Sequence, residues 1–254
     1  MWRMAVIVPA CNESALLPAC LAALRVAVAG VTPVPVRLIV VADACTDDTE
    51  AVARAGGAEV VTIQERNVGR ARGAGVAYAM SAGTETLWLA TTDADSRVPP
   101  EWLRRQWEHA VGGTDLVAGT VEVDDWSRWP APLPALYERR YLSRHDHVHG
   151  ANLGFSAAAY AMAGGFPGFS FDEDQELVFR VRAAGGTVVT DSRSPVRTSA
   201  RIDGRAPRGF AAHLRGLATG TSGTCDISDT SDIPDMEGPG DVSVAGPAPS
   251  AVPR

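Results

Sequence analysis

The sequence predicts an α/β protein: a mostly parallel sheet flanked by helices. Three observations lead there. Short apolar runs alternate with helical patterns through the first hundred residues, and a polar turn follows each run. Parallel strands need crossovers, normally right-handed and helical, so this alternation implies a parallel sheet with helices on both faces. The chain's 254 residues, 46% apolar and 21% charged, supply one large core or two small ones, read here as one domain with a tail.

The elements follow in order. Met4 to Pro9 is a continuous apolar run read as a strand; Ala10-Cys11-Asn12-Glu13-Ser14 is the turn after it, and Leu16, Leu17, Leu21, Leu24 and Val28 repeat with helical spacing. Val36 to Val41 is the second strand, Asp43 to Asp48 its turn, and Thr49 to Ala55 a helix, with Asp47 and Glu50 at capping-box spacing and Gly56-Gly57 as the stop. Glu59 to Ile63 is the third strand, followed by Arg66-Asn67-Val68-Gly69 and a helix from Arg70 to Met80. Thr86 to Thr91 is the fourth strand, ending at Asp93 and Asp95 before Pro99-Pro100.

In the second half, Glu101 to Ala110 reads as a helix and Leu116 to Val123 as a strand, with Trp126 and Trp129 in the Pro-rich stretch beyond. Helical patterns cover Ala135 to Arg144, a short segment ending at Ala163, and Glu173 to Ala184, with a last strand at Thr187 to Thr190. The folded domain is expected over 1–217, with a nucleotide-side half at 1–97 and a second half at 98–217. A disordered acidic tail is expected over 218–254, where Gly, Ser, Pro and Asp dominate. From Thr219 onward the chain carries −5 of the overall −7, so the rest is nearly neutral and shows no basic stripe for nucleic acid.

All 23 basic residues other than His are Arg. Cys11, Cys20, Cys45 and Cys225 show neither CxxC spacing nor a disulfide framework, which fits reduced thiols and a cytoplasmic location. No apolar run approaches membrane-spanning length, so no integral membrane segment is expected. The oligomeric state is open, and a homodimer is allowed for.

In an open parallel sheet, ligands bind beyond the carboxyl ends of the strands. The turns at Asn12-Glu13, Asp43 to Asp47, Asn67-Val68-Gly69 and Asp93 to Asp95 all belong to that edge. Two carboxylates one residue apart repel unless a cation or a hydrogen-bond network lies between them, and a divalent metal with oxygen ligands meets that need. A surface turn reads the same way, since Asp and Ser cap turns. His145, His147 and His149 alternate, and on a strand would share one face, either as a metal site or as the lining of a crevice or solvated edge.

In combination, VIVPACNES, VVADACTDDT, NVGRARGAG, TTDADSRVP, GANLGFS, GGFP and FDEDQELVFRVRAAGG resemble the family 2 glycosyltransferases of GT-A fold, over roughly Met4 to Arg201. The resemblance implies inverting transfer of a sugar from a nucleoside diphosphate sugar to an unidentified acceptor hydroxyl, with Mg²⁺ or Mn²⁺. It implies Asp95 and Asp93 as metal ligands, Asp174 as general base and Glu173 beside it. Around the donor it implies Pro9, Ala10, Asn12, Glu13, Asp43, Asn67, Arg70, Arg72, Asp93, Ala94, Asp95, Gly150 and Asn152. Arg70 and Arg72 read equally well as exposed helix charges. Asp172, Glu173 and Asp174 also read as an acidic helix start opposing the macrodipole.

Three departures stand out. Ala42 precedes Asp43 where the family commonly has two adjacent acids, and Cys11 replaces a Tyr. No His occurs around Thr198 to Arg201, where some relatives have a further metal ligand, leaving His213 or a water for that role. Alternatives are a nucleotidyltransferase, which needs a Gly-rich basic loop after the first strand that this chain lacks, and a non-catalytic sugar-nucleotide-binding protein.

Overall fold

The computed structural model describes residues 2–142, 148–168, 172–202, 204 and 210–219. His145, His147 and the expected tail beyond 219 lie outside the described residues. The strands are β1 (Arg3–Ala10), β2 (Val36–Asp43), β3 (Glu59–Ile63), β4 (Leu87–Thr91), β5 (Ser96–Arg97), β6 (Leu116–Val123), β7 (Leu153–Ser156) and β8 (Val188–Thr198). The helices are α1 (Leu17–Ala29), α2 (Thr49–Ala55), α3 (Val68–Met80), α4 (Trp102–Val111), α5 (Leu133–Leu142), α6 (Ala157–Met162), α7 (Glu173–Ala183) and α8 (Phe210–Thr219), with a 3₁₀ turn at Gly150–Asn152.

All eight strands join one sheet in the order β3-β2-β1-β4-β7-β6-β8-β5. The first four in that order pair in parallel, as the alternating pattern predicts. β7 then pairs antiparallel with both β4 and β6, β6 is parallel to β8, and β5 closes the edge antiparallel to β8. Strands from 1–97 and from 98–217 therefore share one sheet.

Alternation along β1 shows why the sheet is covered on both faces. Met4, Val6 and Val8 face a core with Leu17, Leu21 and Leu24 of α1 and Trp102 and Leu103 of α4. Ala5 and Ile7 face a second core with Val76 of α3 and Leu177 and Val181 of α7. Gly75 lets α3 lie close against the sheet, since a Cβ there would stand 2.5 Å from Ile7 Cγ2 and 2.9 Å from Val41 Cγ2. A third, smaller core joins Leu133 and Tyr137 of α5 to Leu214 and Leu217 of α8.

The structure corrects several local expectations. The last strand runs eleven residues rather than ending at Thr190, because it pairs with β6 over most of its length and then with β5. α8 takes in the first two residues of the expected tail. Asp47 and Glu50 form no capping box: the Asp47 carboxylate accepts from Thr49 N, Thr49 Oγ1 and Ser14 N, while Glu50 pairs with Arg54. Among the described residues no helix is long and apolar enough to cross a membrane.

Candidate active site

The carboxyl ends of β1 to β4 are tied together by side chains accepting backbone N–H groups. Pro9 and Ala10 end β1 in register with Val41 and Ala42. Asn12 follows in the left-handed region (φ 54°), and its Oδ1 accepts from Thr46 N at 2.7 Å. Glu13 N donates to the buried Thr49 Oγ1 at 2.8 Å. The buried Asp43 carboxylate accepts from Glu65 N, Arg66 N and Asn67 N at 2.7–2.8 Å, which fixes the loop after β3. Asn67 caps α3, with Oδ1 accepting from Arg70 N and Nδ2 donating to Gly168 O. Asn12, Ala44, Arg66 and Asp172, four of the five described non-glycine residues with positive φ, lie in these loops or at the start of α7. Backbone strain of this kind persists where the surrounding structure over-determines it and clusters at functional sites.

Arg72 joins the two acidic motifs. It is 4% exposed, donates from Nη2 to Asp93 Oδ1 at 2.6 Å and from Nη1 to Glu173 Oε1, and leaves its Nε without a partner. Burial works against its charge, but Asp93, Glu173 and Asp174 together hold it protonated. Gly150 makes this possible, because a Cβ there would lie 2.4 Å from the guanidinium carbon. Gly150 O accepts from Thr91 Oγ1 at 2.6 Å, and Gly150 N donates to Asp174 Oδ2 at 2.6 Å. Asp174 Oδ1 accepts from Gln175 N. Burial and then the adjacent Glu173 charge raise the Asp174 carboxyl above the usual range, with Arg72 and the two N–H donors pulling the other way. The expectation of Arg72 as an exposed helix charge is thereby corrected: it is a buried tie between the turn after β4 and the start of α7.

Asp95 has its own arginine. Arg201 Nη2 donates to Asp95 Oδ2 and Nη1 to Glu13 Oε1 at 2.7 Å, with the Asp95 and Glu13 side chains only 9% and 6% exposed. The chain beyond β8 delivers Arg201 there. Ser96 pairs with Thr198, their hydroxyls 2.9 Å apart, and Trp129 Nε1 donates to Ala200 O at 2.6 Å. Burial raises the Asp95 carboxyl to about 6 although Arg201 pulls it down, and Asp93 and Glu13 add to the rise. The buried Ala94 lies between the two acids. A cavity of about 230 Å³ adjoins Asp95, lined also by Leu16, Ala19, Arg97, Asp124, Asp125, Ser199 and Ala200.

Among the described residues no three His, Cys, Asp or Glu side chains converge as a preformed metal centre. The charge of the cluster nonetheless suits a cation. Among the described residues, Glu13 and Asp95 meet Arg201, Asp93 and Glu173 meet Arg72, Asp174 lies beside them, and the partly exposed Asp93 engages Arg72 through one oxygen. Asp95 and Asp93 thus fit a divalent ion that arrives with its own anionic ligand.

Other expected residues fall elsewhere. Asn152 is 2% exposed; its Nδ2 donates to Thr120 O and Ser194 O and its Oδ1 accepts from Trp102 Nε1, so it locks the 3₁₀ turn against β6, β8 and α4. Arg70 is exposed and pairs with Glu65 at 3.5 Å. His149 stacks on Tyr141, its Nε2 3.1 Å from the phenol oxygen, and His213 stacks on Phe210 of α8. Trp126 packs on Tyr137 within the third core. Cys20 and Cys45 are in no disulfide; Cys11 and Cys45 are half-buried, while burial, then Asp93 and Asp95, push the Cys20 thiol up. Sequence reasoning missed Arg201. Its signal was a cation at the position where a further metal ligand was sought.

The Glycosyl transferase family 2 model matches residues 5–165, which carry the β1 loop, the Asp93–Asp95 turn and the Gly150 turn. The chain belongs to glycosyl transferase family 2. The undecaprenyl-phosphate 4-deoxy-4-formamido-L-arabinose transferase of Pseudomonas aeruginosa is 30% identical over 159 residues, which are 59% of this chain and 45% of that protein. The chain thus spans under half the length of that curated relative. The fold is similar to S. aureus TarS 1-349 in complex with UDP-GlcNAc (TM-score 0.62, 14% identity, 86% of this chain and 71% of that one). It is also similar to Mycobacterium tuberculosis glucosyl-3-phosphoglycerate synthase in complex with Mn²⁺, UDP and phosphoglyceric acid (TM-score 0.56, 18% identity, 87% and 76%). The GT-A architecture expected from the motifs is therefore the architecture of this family 2 chain, and membership sets aside the nucleotidyltransferase alternative.

Proposed function

We propose that this chain transfers a sugar from a nucleoside diphosphate sugar to an acceptor hydroxyl with inversion at the anomeric carbon. The observation that carries the reading is the Arg72 bridge. It brings the Asp93–Asp95 turn and the start of α7, far apart in sequence, into one charge cluster, so that Asp174 stands beside the donor edge of the sheet. Donor contacts fall to the loop after β1, Asn12 and Glu13 included, to the Asp43-anchored loop after β3 and to the β4 turn.

In the transfer, the acceptor oxygen forms a bond to the anomeric carbon as the bond from that carbon to the diphosphate oxygen breaks. Asp174 takes the acceptor's proton, and the nucleoside diphosphate leaves with the bonding pair. A carboxyl raised by burial is a better base than an exposed one, and the N–H groups of Gly150 and Gln175 hold its oxygens in place. Glu173, paired with Arg72, orients the helix start that carries the base. Asp95 and Asp93 would hold Mg²⁺ or Mn²⁺, which when bound supplies positive charge for the leaving diphosphate.

The test is calorimetric titration of UDP, GDP, dTDP and CDP, each with Mn²⁺ and with chelator, followed by Asp174→Asn. One diphosphate binds in a metal-dependent way, and the variant keeps that affinity while turnover falls at least about 100-fold. A variant with undiminished turnover removes Asp174 as the base. Metal-dependent binding with no turnover leaves the non-catalytic alternative, and failure of all four nucleotides to bind overturns the donor-site reading.

A further inference from the structure

Arg201 occupies the position where a cation would meet Asp95. Its guanidinium is shared between two buried carboxylates, on Asp95 and Glu13, and the backbone that carries it is anchored by the Ser96–Thr198 pair and the Trp129–Ala200 hydrogen bond. Arg201 divides its two Nη groups between these carboxylates, with Asp93 nearby and already paired to Arg72. A divalent ion that takes Asp95 Oδ2 competes with Arg201 for that oxygen.

We propose that Arg201 is a displaceable counter-ion of the donor site. In the donor-free protein it neutralises Asp95 and Glu13. When metal and nucleoside diphosphate enter, the guanidinium leaves Asp95 for the diphosphate oxygens, with which it forms a planar two-point pair, and the carboxylate passes to the metal. The exchange suits the charges: Arg gains a dianionic partner, and Asp95 gains a divalent one. It also couples the two ligands. Metal alone must break the Arg201–Asp95 pair with nothing to receive the arginine, whereas metal with nucleotide supplies the receiver, so each strengthens the other's binding. The inference rests on the donor-site reading above and adds the residue that enforces joint binding.

The test compares wild type, Arg201→Met and Arg201→Lys by Mn²⁺ titration followed by electron paramagnetic resonance without nucleotide, and by calorimetry of the nucleoside diphosphate that wild type binds, at saturating Mn²⁺. Thermal melts confirm folding. Arg201→Met binds Mn²⁺ alone at least about tenfold more tightly than wild type and the nucleotide at least about tenfold more weakly, since one charge-assisted contact moves each equilibrium by that order. Arg201→Lys, with one point charge and no fork, falls between, and carries the test alone if the Met variant does not fold. Unchanged or weaker Mn²⁺ binding in both variants, with wild type still binding nucleotide and Mn²⁺ together, overturns the role of Arg201 and leaves the donor site standing. No nucleotide binding by wild type overturns the donor-site reading, and this inference with it.

Discussion

Replacing Gly150 by Ala tests whether the Arg72 bridge is as closely packed as it looks. Gly150 has no left-handed φ, so an alanine backbone is permitted and only space is at issue. The new Cβ would lie 2.4 Å from Arg72 Cζ and Nη2 and 2.6 Å from Nη1. Ordinary contact needs about 3.5 Å, so one partner must move by about 1 Å. The backbone is held at both polar atoms, by Asp174 and Thr91, and the guanidinium therefore gives way. That breaks its 2.6 Å pair with Asp93, or the pair with Glu173, inside a site where Arg72 is 4% exposed.

Overpacking costs about 1–3 kcal/mol and breaking a buried ion pair about 3–5 kcal/mol, so a loss of about 3 kcal/mol is expected, with Tm lower by about 6–12 °C for a chain of this size. Gly73→Ala on the neighbouring α3 is the control, because its Cβ meets nothing nearer than Tyr160 Oη at 3.9 Å. It should raise stability by up to about 1 kcal/mol, since glycine is the poorer helix former. Urea unfolding of both variants decides. A Gly150→Ala unfolding free energy within about 0.5 kcal/mol of wild type would mean that Arg72 has room to move and that the close-packed bridge is misread.

Two further outcomes are expected. The Asp191 carboxyl is held well below the usual carboxylate range by Arg193 hydrogen-bonded to it, and further by His109. Its stabilisation is therefore fully present above about pH 4 and is lost as pH falls below that, through the depressed folded value; Asp191→Asn should remove about 1 kcal/mol at neutral pH, after discounting the exposed Arg193, and flatten the acid limb of the stability profile. An unchanged acid limb would count against the pairing. Asn152→Asp places a carboxylate oxygen against Thr120 O and Ser194 O, which now accept from its amide, and should cost at least about 3 kcal/mol in chemical denaturation. A stable Asn152→Asp protein with weakened nucleotide binding would restore the donor-contact reading of Asn152.

The sequence by itself determined the repeating architecture and the sheet edge at which its polar turns gather. Apolar runs such as Met4 to Pro9 read as strands because their continuous burial on both faces demands it, and the polar turns after them must gather at one edge once the strands are parallel. Asp93 and Asp95 stood out as paired acids at a strand end, whereas Glu173 and Asp174 were singled out only by the family resemblance, since an acidic helix start gives the same local pattern. The antiparallel insertion of β7 between β4 and β6 had no such signal, since four residues of pattern do not state their partner.

Only the tertiary structure decided which charge meets which. Arg72 and Arg70 sit two residues apart on α3, yet one is a buried tie and the other an exposed pair with Glu65, because helical rotation turns them to different sides and only one side meets Gly150. Arg201 reaches Asp95 through the pairing of β8 with β5, a contact across 106 residues that no local pattern encodes. Periodicity fixes which face a residue is on. The partner across a buried gap depends on how distant elements pack, and at this site that choice separates a free cation ligand from a carboxylate already held by an arginine.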